Sequence, residues 1–204
     1  ANSLLAEGYG YYIGDALQTV ADDATSVGAA NQTVTVKEKP AATPTPTVSG
    51  YNIYANGVPL ILAAGSGDST KTVIYIDKDG DGEVDAGEPI FDPDGDTATM
   101  NGTDAGNDLS SWTIYGGGTA DVTGGTKITM TGGKVSNIYG GSYAINGTAN
   151  VASTKVTVSG TAEVTDLYGG GYALATSTAT ANVTGAASVS ITGGTVSFVY
   201  GGSY

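Results

Sequence analysis

Apolar and polar residues alternate in short stretches in the second half of the chain, and these stretches end at glycines. Three of them begin at Lys127, Lys155 and Ser188 and read KITMTGG, KVTVSGT and SVSITGG. A period of two places successive side chains on opposite faces of a β-strand, and glycine favours tight turns. The pattern therefore predicts short strands that are joined by sharp corners.

A second phrase, an apolar residue followed by Tyr-Gly-Gly, recurs four times in the same half of the chain. Its tyrosines are Tyr115, Tyr139, Tyr168 and Tyr200, and a further tyrosine follows the last three at Tyr143, Tyr172 and Tyr204. A unit this short cannot bury its own apolar face, so such units stack on one another. We therefore predict an all-β fold with a β-solenoid over residues 112–204; a closed barrel or β-sandwich is the alternative. In the solenoid, one buried column would contain Ile128, Val156 and Val189, and another would contain Tyr139, Tyr168 and Tyr200.

A dense acidic loop lies between Ile76 and Pro89. Residues 77–88 read DKDGDGEVDAGE, with carboxylates at positions 1, 3, 5, 9 and 12 of a twelve-residue loop and glycine at position 6. A hard cation such as Ca²⁺ takes about six to eight oxygen ligands, and this spacing is typical of calcium loops. A solvated acidic turn that binds no ion is the alternative. The predicted calcium ligands are Asp77, Asp79, Asp81, the backbone carbonyl of Glu83, Asp85 and Glu88.

The flanks of the acidic loop predict strands. The run KTVIYI precedes the loop and Pro89 follows it directly, whereas an EF-hand places a helix on each side. We therefore expect the ion to fix a connection between strands and not to act in a calcium sensor. A second acidic turn with Asp92, Asp94 and Asp96 has only three carboxylates and is a weaker candidate for another ion.

The first 49 residues are less regular. Residues 1–39 combine a helical spacing of Ile13, Leu17 and Val20 with a strand-like alternation over residues 31–36, and the sequence does not decide between them. Residues 40–49 alternate Thr and Pro, which is typical of an extended linker.

Residues 50–111 are predicted to form a small antiparallel β region that contains the calcium loop and precedes the repeats. The dipeptide Asn56-Gly57 suits the type I′ turn of a hairpin, because both residues tolerate positive φ. Pro59 lacks a backbone N–H and therefore indicates that the second strand of this hairpin lies at a sheet edge.

Composition excludes several classes of function. The 204 residues include 20 acids, 7 basic residues, no His and no Cys, and the formal net charge is −13. Nucleic-acid binding needs clusters of Lys and Arg, whereas zinc sites, thiol catalysis and His-based triads need the missing residues. No apolar stretch approaches the length of a membrane span. We expect no nucleic-acid partner, no membrane insertion and no enzymatic activity.

Glu163 and Asp166, three residues apart, point to opposite faces of a strand and do not make a glycosidase pair.

Two parts of the chain resemble known families. Residues 74–89 resemble the strand-borne, EF-hand-like calcium loops of Gram-positive cell-wall proteins, and residues 112–204 resemble the Tyr-Gly-Gly repeats of adhesin-like surface proteins of Gram-positive bacteria. The resemblance implies an extracellular location at the bacterial cell surface or cell wall. It also implies a calcium-stabilised repeat module that serves as an adhesive surface or stalk, with host or cell-wall glycans or surface proteins as partners. The alternative is a carbohydrate-binding module of a secreted glycan-degrading enzyme, with Tyr143, Tyr172 and Tyr204 as the ligand-binding surface.

The end of the repeat region leads to a last expectation. Tyr204 completes a Tyr-Gly-Gly-Ser-Tyr phrase at the point where another coil should begin, and uncovered solenoid edges pair with neighbours. We expect an excised or processed fragment whose C-terminal repeat edge is covered by another copy, by the N-terminal segment of the chain or by missing repeats. Self-association through this edge is the first of these options.

Overall fold

The computed structural model describes residues 9–13, 16–17, 34–38, 44–94, 97–100, 102–174 and 178–204. Within these ranges the chain is all-β. The described residues therefore include no helix that is long and apolar enough to cross a membrane. The chain divides into two compact units, Ala1–Thr43 and Pro44–Tyr204.

The first unit contains a three-stranded antiparallel sheet in the order β2-β1-β3. Its strands are β1 (Tyr9–Ile13), β2 (Ala16–Leu17) and β3 (Val34–Glu38). The strand-like alternation over residues 31–36 overlaps β3 at residues 34–36, and residues 31–33 lie outside the described residues. The helical spacing falls on β1 and β2 at Ile13 and Leu17. Val20 lies outside the described residues.

The second unit contains fifteen strands in its described residues. They are β4 (Thr47–Ser49), β5 (Asn52–Tyr54), β6 (Leu60–Gly65), β7 (Asp68–Ile76), β8 (Ile90–Asp94), β9 (Thr97–Thr99), β10 (Leu109–Tyr115), β11 (Val122–Met130), β12 (Lys134–Tyr139), β13 (Tyr143–Ala144), β14 (Val151–Val158), β15 (Glu163–Tyr168), β16 (Tyr172–Ala173), β17 (Ala187–Ile191) and β18 (Thr195–Tyr200).

Two stacks of parallel strands form the walls of the second unit. We call β5, β10, β12, β15 and β18 the first wall, and β6, β11, β14 and β17 the second wall. The chain passes from one wall to the other in each coil, while β13 and β16 pair in parallel at a corner. The result is a β-solenoid of about three turns, which confirms the predicted fold class.

The strand register confirms the stacking of both predicted columns, although the last member of each is not buried: Val189 is half-buried and Tyr200 is 44% exposed. Ile128 pairs with Val156, and Val156 pairs with Val189, along the second wall. Tyr139, Tyr168 and Tyr200 follow one another in the same way along the first wall. The interior is filled by one apolar cluster to which both walls contribute, including Ile114, Ile138 and Leu167 from the first and Ile128, Met130 and Val156 from the second. Stacked coils thereby supply the buried area that a single coil lacks.

The predicted hairpin at Asn56-Gly57 is wrong. The two residues have φ values of 55° and 85°, as a type I′ turn requires, but they turn the chain from the first wall to the second. Their N–H groups donate to the carbonyls of Gly117 and Gly116 in the next coil, and no strand pairing joins β5 to β6. The positive φ values were predictable because they depend on these two residues. The partners of the flanking strands depend instead on how the coils stack.

The edge-strand prediction from Pro59 is also wrong. Strand β6 starts one residue later and lies between β7 and β11, in the interior of its sheet. Pro59 precedes the strand, so its missing N–H is not needed for the hydrogen bonds between strands. Its carbonyl accepts a hydrogen bond of 3.0 Å from the N–H of Asp77. A proline at this position therefore costs no ladder hydrogen bond.

The two ends of the solenoid differ. At the first end, β4 pairs antiparallel with β5, and β7 pairs antiparallel with β6, so that both walls are covered. Strand β4 comes from the predicted linker, whose Thr47–Ser49 is extended and paired. Strands β8 and β9 continue the sheet beyond β7. At the other end, β17 and β18 are the last strands of their sheets.

Candidate metal centre and tyrosine columns

The acidic loop connects two paired antiparallel strands, as its flanks predict. Strand β7 ends at Ile76, and β8 begins at Ile90. Three glycines give the loop its tight course, Gly80 with φ of 76° and both Gly82 and Gly87 with φ of 91°, a region that L side chains rarely adopt. The strands hold both ends of the loop against the second wall.

Three of the predicted ligands are brought together. The carboxylates of Asp77, Asp79 and Asp81 each offer an oxygen within 4.8 Å of the other two, so the group could hold a metal ion. Asp77 is buried, and the other two are exposed. Each carboxylate accepts a backbone N–H through its Oδ1 atom, from Gly80 at 2.7 Å, Asp81 at 3.1 Å and Glu83 at 2.7 Å respectively. These bonds fix the three side chains toward one side of the loop.

Two of the other predicted ligands, Asp85 and Glu88, lie where the loop closes. Glu88 accepts the N–H of Lys78 at 3.1 Å through Oε1 and the N–H of Asp85 at 3.2 Å through Oε2. The N–H of Glu88 donates in turn to the carbonyl of Asp85 at 3.3 Å. Asp85 and Glu88 are thus joined to each other, outside the three-carboxylate group.

The second acidic turn is only partly described. Asp92 accepts a hydrogen bond of 2.9 Å from the side-chain amide of Asn107. The side chain of Asp94 and the whole of Asp96 lie outside the described residues. Asp92 thus has a structural partner on the next segment of the chain.

Sequence reasoning missed Lys127, whose side chain joins the acidic loop to the second wall of the solenoid. Its Nζ atom lies 3.3 Å from Oδ2 of the buried Asp77 and donates to the carbonyl of Gly80 at 2.5 Å. Gly82 packs over Lys127 and Thr129, so a Cβ at Gly82 would lie only about 3 Å from either side chain. Lys155 occupies the same position one coil later and is exposed. No local signal distinguishes these two lysines, because the partner of Lys127 lies 50 residues away in sequence.

The tyrosines form two columns of stacked rings. The first column contains five rings with centroids 4.4 to 5.3 Å apart and interplanar angles of 15° or less: Tyr54, Tyr115, Tyr139, Tyr168 and Tyr200. The second contains Tyr143, Tyr172 and Tyr204, at 5.3 and 5.4 Å. Rings of the second column meet those of the first edge-on or tilted, at 5.2 to 5.9 Å. Offset stacking and edge contacts are the arrangements that aromatic quadrupoles favour.

Tyr54 was not predicted as a member of the first column. It follows Ile53, as Tyr115 follows Ile114, but Ala55 and Asn56 replace the glycine pair of the other coils. The pair Ile-Tyr without Gly-Gly is the signal that could have identified residues 52–65 as the first coil.

Burial raises the pKa of four phenols in the first column above their ordinary value of 10.0. In each case the largest cause is the loss of water around the charged phenolate, and a neighbouring tyrosine or carboxylate raises the pKa further. The affected residues are Tyr54, Tyr115, Tyr139 and Tyr168. Their hydroxyls therefore stay protonated at any physiological pH.

The predicted sugar-binding tyrosines use their ring faces on one another. Tyr143 and Tyr172 are half-buried, and the two faces of Tyr172 stack on Tyr143 and Tyr204. Sugar rings bind aromatic side chains through the ring face, so Tyr172 has little to offer them. Tyr204 is exposed and is the last ring of the second column, so only one face of its ring stacks on another tyrosine of that column.

No protein-family model, curated protein or solved structure matched the chain. Inferences about function therefore depend on the acidic loop, the tyrosine columns and the two solenoid ends.

Proposed function

We propose that this chain is a calcium-stabilised repeat module of an extracellular bacterial surface protein, where it serves as a stalk or adhesive surface. One observation supports this best: the three-carboxylate group is anchored to the second wall through Lys127 and Asp77. An ion in the loop would thus stabilise the covered end of the solenoid as well as the loop itself. A module that is held rigid in this way suits a stalk or a surface that presents binding sites.

Electrostatics explains why the loop would take a cation. The three carboxylates repel one another because their oxygens lie within 4.8 Å, and the repulsion that acts on buried Asp77 is screened less by water than that between exposed Asp79 and Asp81. The ammonium of Lys127 offsets part of this repulsion, but of the three carboxylates it forms an ion pair with that of Asp77 only. The set consists entirely of oxygen donors, which favours Ca²⁺ over a softer metal. Calcium affinities of extracellular modules, on the order of 10⁻⁴ to 10⁻³ M, would suffice outside the cell.

The calcium test is a thermal and calorimetric titration of the full chain with CaCl₂, MgCl₂ or EDTA. If the ion binds the folded state alone, Ca²⁺ at a hundredfold excess over Kd stabilises the fold by about 2.7 kcal/mol and raises Tm. Asp79→Asn should abolish this gain, because it removes one carboxylate of the group. Asp104→Asn is the matched control, since Asp104 is exposed and outside the acidic loop. A wild-type chain that shows neither heat of binding nor a Tm change between Ca²⁺ and EDTA would refute the calcium proposal.

A glycan panel separates this proposal from the carbohydrate-binding alternative. The full chain should bind no plant, mucin or cell-wall glycan through its second tyrosine column, because stacking leaves an open ring face on Tyr204 alone. Glycan binding that disappears in Tyr204→Ala, with Tm unchanged, would favour the alternative, since Tyr204 has the open ring face.

A further inference from the structure

The dipeptide Asn-Gly occurs twice among the described residues, at Asn56-Gly57 and at Asn146-Gly147. Asparagine is a thermolabile residue, and a following glycine makes it most prone to lose its side-chain amide, because glycine has no Cβ to shield the backbone nitrogen. A third pair begins at Asn101, which lies outside the described residues. Since both described pairs are Asn-Gly, their surroundings in the fold decide which of them can react.

Hydrogen bonds hold both residues of the first pair. The side-chain amide of Asn56 donates to the carbonyl of Thr45 at 2.8 Å and to Oγ1 of Thr47 at 3.1 Å. The N–H of Gly57 donates to the carbonyl of Gly116 at 3.0 Å. The nitrogen that would attack and the amide that would leave are therefore both engaged, and this turn must open locally before it can react.

The second pair lacks these restraints. Asn146 and Gly147 are exposed, and no atom lies within 4 Å of the position that a Cβ on Gly147 would take. No residue that the structure describes forms a hydrogen bond with the Asn146 side chain or with the N–H of Gly147. The carbonyl of Gly147 accepts the N–H of Thr180 at 2.8 Å, which holds the loop without engaging the reacting atoms.

We propose that Asn146 is a site of spontaneous deamidation, a modification that the chain undergoes without an enzyme. The backbone nitrogen of Gly147 loses its proton to hydroxide and bonds to Cγ of Asn146, and the side-chain amide takes a proton from water and leaves as ammonia. The cyclic imide that results takes up a water molecule. Cleavage of its bond from nitrogen to Cγ gives aspartate, whereas cleavage at the main-chain carbonyl carbon gives isoaspartate, whose backbone continues through Cγ.

The reaction changes charge and backbone length at a place where successive coils meet. Either product adds a negative charge to a chain of net charge −13. Isoaspartate also adds a methylene to the backbone between Ala144 and Ala149, which are buried in the same cluster of alanines. Thr148, in the same segment, forms a parallel bridge with Thr180 of the following coil. Isoaspartate should therefore weaken the hydrogen bond from Thr180 to Gly147, whereas aspartate keeps the original backbone length.

The test compares both Asn-Gly pairs within the same sample of the folded full chain. After incubation in mildly alkaline buffer, the chain is digested with trypsin, and mass spectrometry with chromatographic separation of isoaspartate follows each site. Trypsin cleaves after lysine and places Asn146 and Asn56 on different peptides, residues 135–155 and 38–71. We expect Asn146 to react at least about tenfold faster than Asn56, which corresponds to about 1.4 kcal/mol in the free energy of local opening.

The same chain unfolded in urea is the matched control, because it keeps the sequence and loses the hydrogen bonds around Asn56. The two rates should then converge, mainly through acceleration at Asn56. Asn146→Gln should suppress the reaction in its peptide and thereby show that Asn137 and Asn150 do not contribute. Equal rates at Asn146 and Asn56 in the folded chain would overturn the proposal, as would a tenfold difference that persists in urea.

Hydrogen exchange separates the effect of the added charge from that of the longer backbone. The N–H of Thr180 should exchange faster in the incubated chain that carries isoaspartate than in the fresh chain, because its acceptor on Gly147 is displaced. Asn146→Asp carries the charge without the extra methylene and should exchange like the fresh chain. Equal exchange at Thr180 in all three samples would overturn the proposed effect on the contact between coils.

Discussion

Removing one ring from the middle of the first tyrosine column should destabilise the whole solenoid. Tyr139 is 7% exposed and contacts Tyr115 at 5.0 Å, Tyr168 at 4.4 Å and Tyr172 at 5.9 Å. Truncating a buried aromatic side chain to alanine costs about 3–5 kcal/mol. We expect Tyr139→Ala to fall near the top of this range, because each aromatic pair adds about 0.5–1.5 kcal/mol beyond its buried area. This loss is a large share of the roughly 5–15 kcal/mol that stabilises a typical domain.

The same substitution at the end of the column is the matched control. Tyr200 is 44% exposed and stacks on Tyr168 alone within its column, at 4.5 Å. With about half of the burial and one stacking partner, Tyr200→Ala should cost only roughly 1–2 kcal/mol. Tyr139→Phe keeps the ring and loses the hydroxyl contact with Tyr168, which should cost about 0.5–1.5 kcal/mol.

Denaturant unfolding measures these differences in the free energy of unfolding. Trp112 is the single tryptophan of the chain and lies in β10, where its ring contacts Tyr51 at 5.4 Å. Its fluorescence therefore reports the packing of the second coil. Equal losses for Tyr139→Ala and Tyr200→Ala, or a loss below about 1 kcal/mol for Tyr139→Ala, would show that the column contributes little to stability.

Two further predictions concern pH and buried hydroxyls. The four column tyrosines with raised pKa keep their protons in the folded state, whereas unfolded tyrosines lose them near pH 10. The free energy of unfolding should therefore be constant below about pH 9. Above about pH 10 it should fall by up to 1.4 kcal/mol per pH unit for each of these tyrosines. Phenolate absorbance that rises fully before the fold is lost would contradict this. Buried Thr154 donates to the carbonyl of Gly169 at 2.5 Å, so Thr154→Val should lower the unfolding free energy by about 1–3 kcal/mol. Half-exposed Thr157→Val in the same strand should change it by less than about 0.5 kcal/mol, and equal effects would show that the buried bond is unimportant.

The repeat architecture was predictable because its determinants are local and recur. Alternation around Ile128, Val156 and Val189 specifies a strand in each coil, and the glycines after each tyrosine specify a corner. In-register stacking of identical phrases then follows from the need to bury one apolar face. The first tyrosine column was predictable for the same reason, because each coil places one ring directly above the ring of the coil before it.

Strand partners were less predictable than strands. Asn56 and Gly57 adopt the expected positive φ, yet the strands on either side belong to different walls. The residue types at the turn determine the backbone conformation of two residues, whereas strand pairing depends on the coils that stack above and below. The sequence predicts a separate antiparallel region over residues 50–111, whereas β5 and β6 belong to the first coil, which lacks the glycine pair that marks the others.

The candidate metal centre was predictable in its loop and not in its surroundings. The spacing of Asp77, Asp79 and Asp81 is a local property and brings their carboxylates together. The burial of Asp77 and its ion pair with Lys127 depend on where β7 packs against the second wall. Nothing within the loop sequence encodes that contact.

The covered end of the solenoid gives the first coil a strand partner on both walls. Each coil is stabilised mainly by its nearest neighbours, so opening at this end should require β4 to leave β5 and β7 to leave β6 first. The two antiparallel pairs therefore act as a closure for the coils behind them.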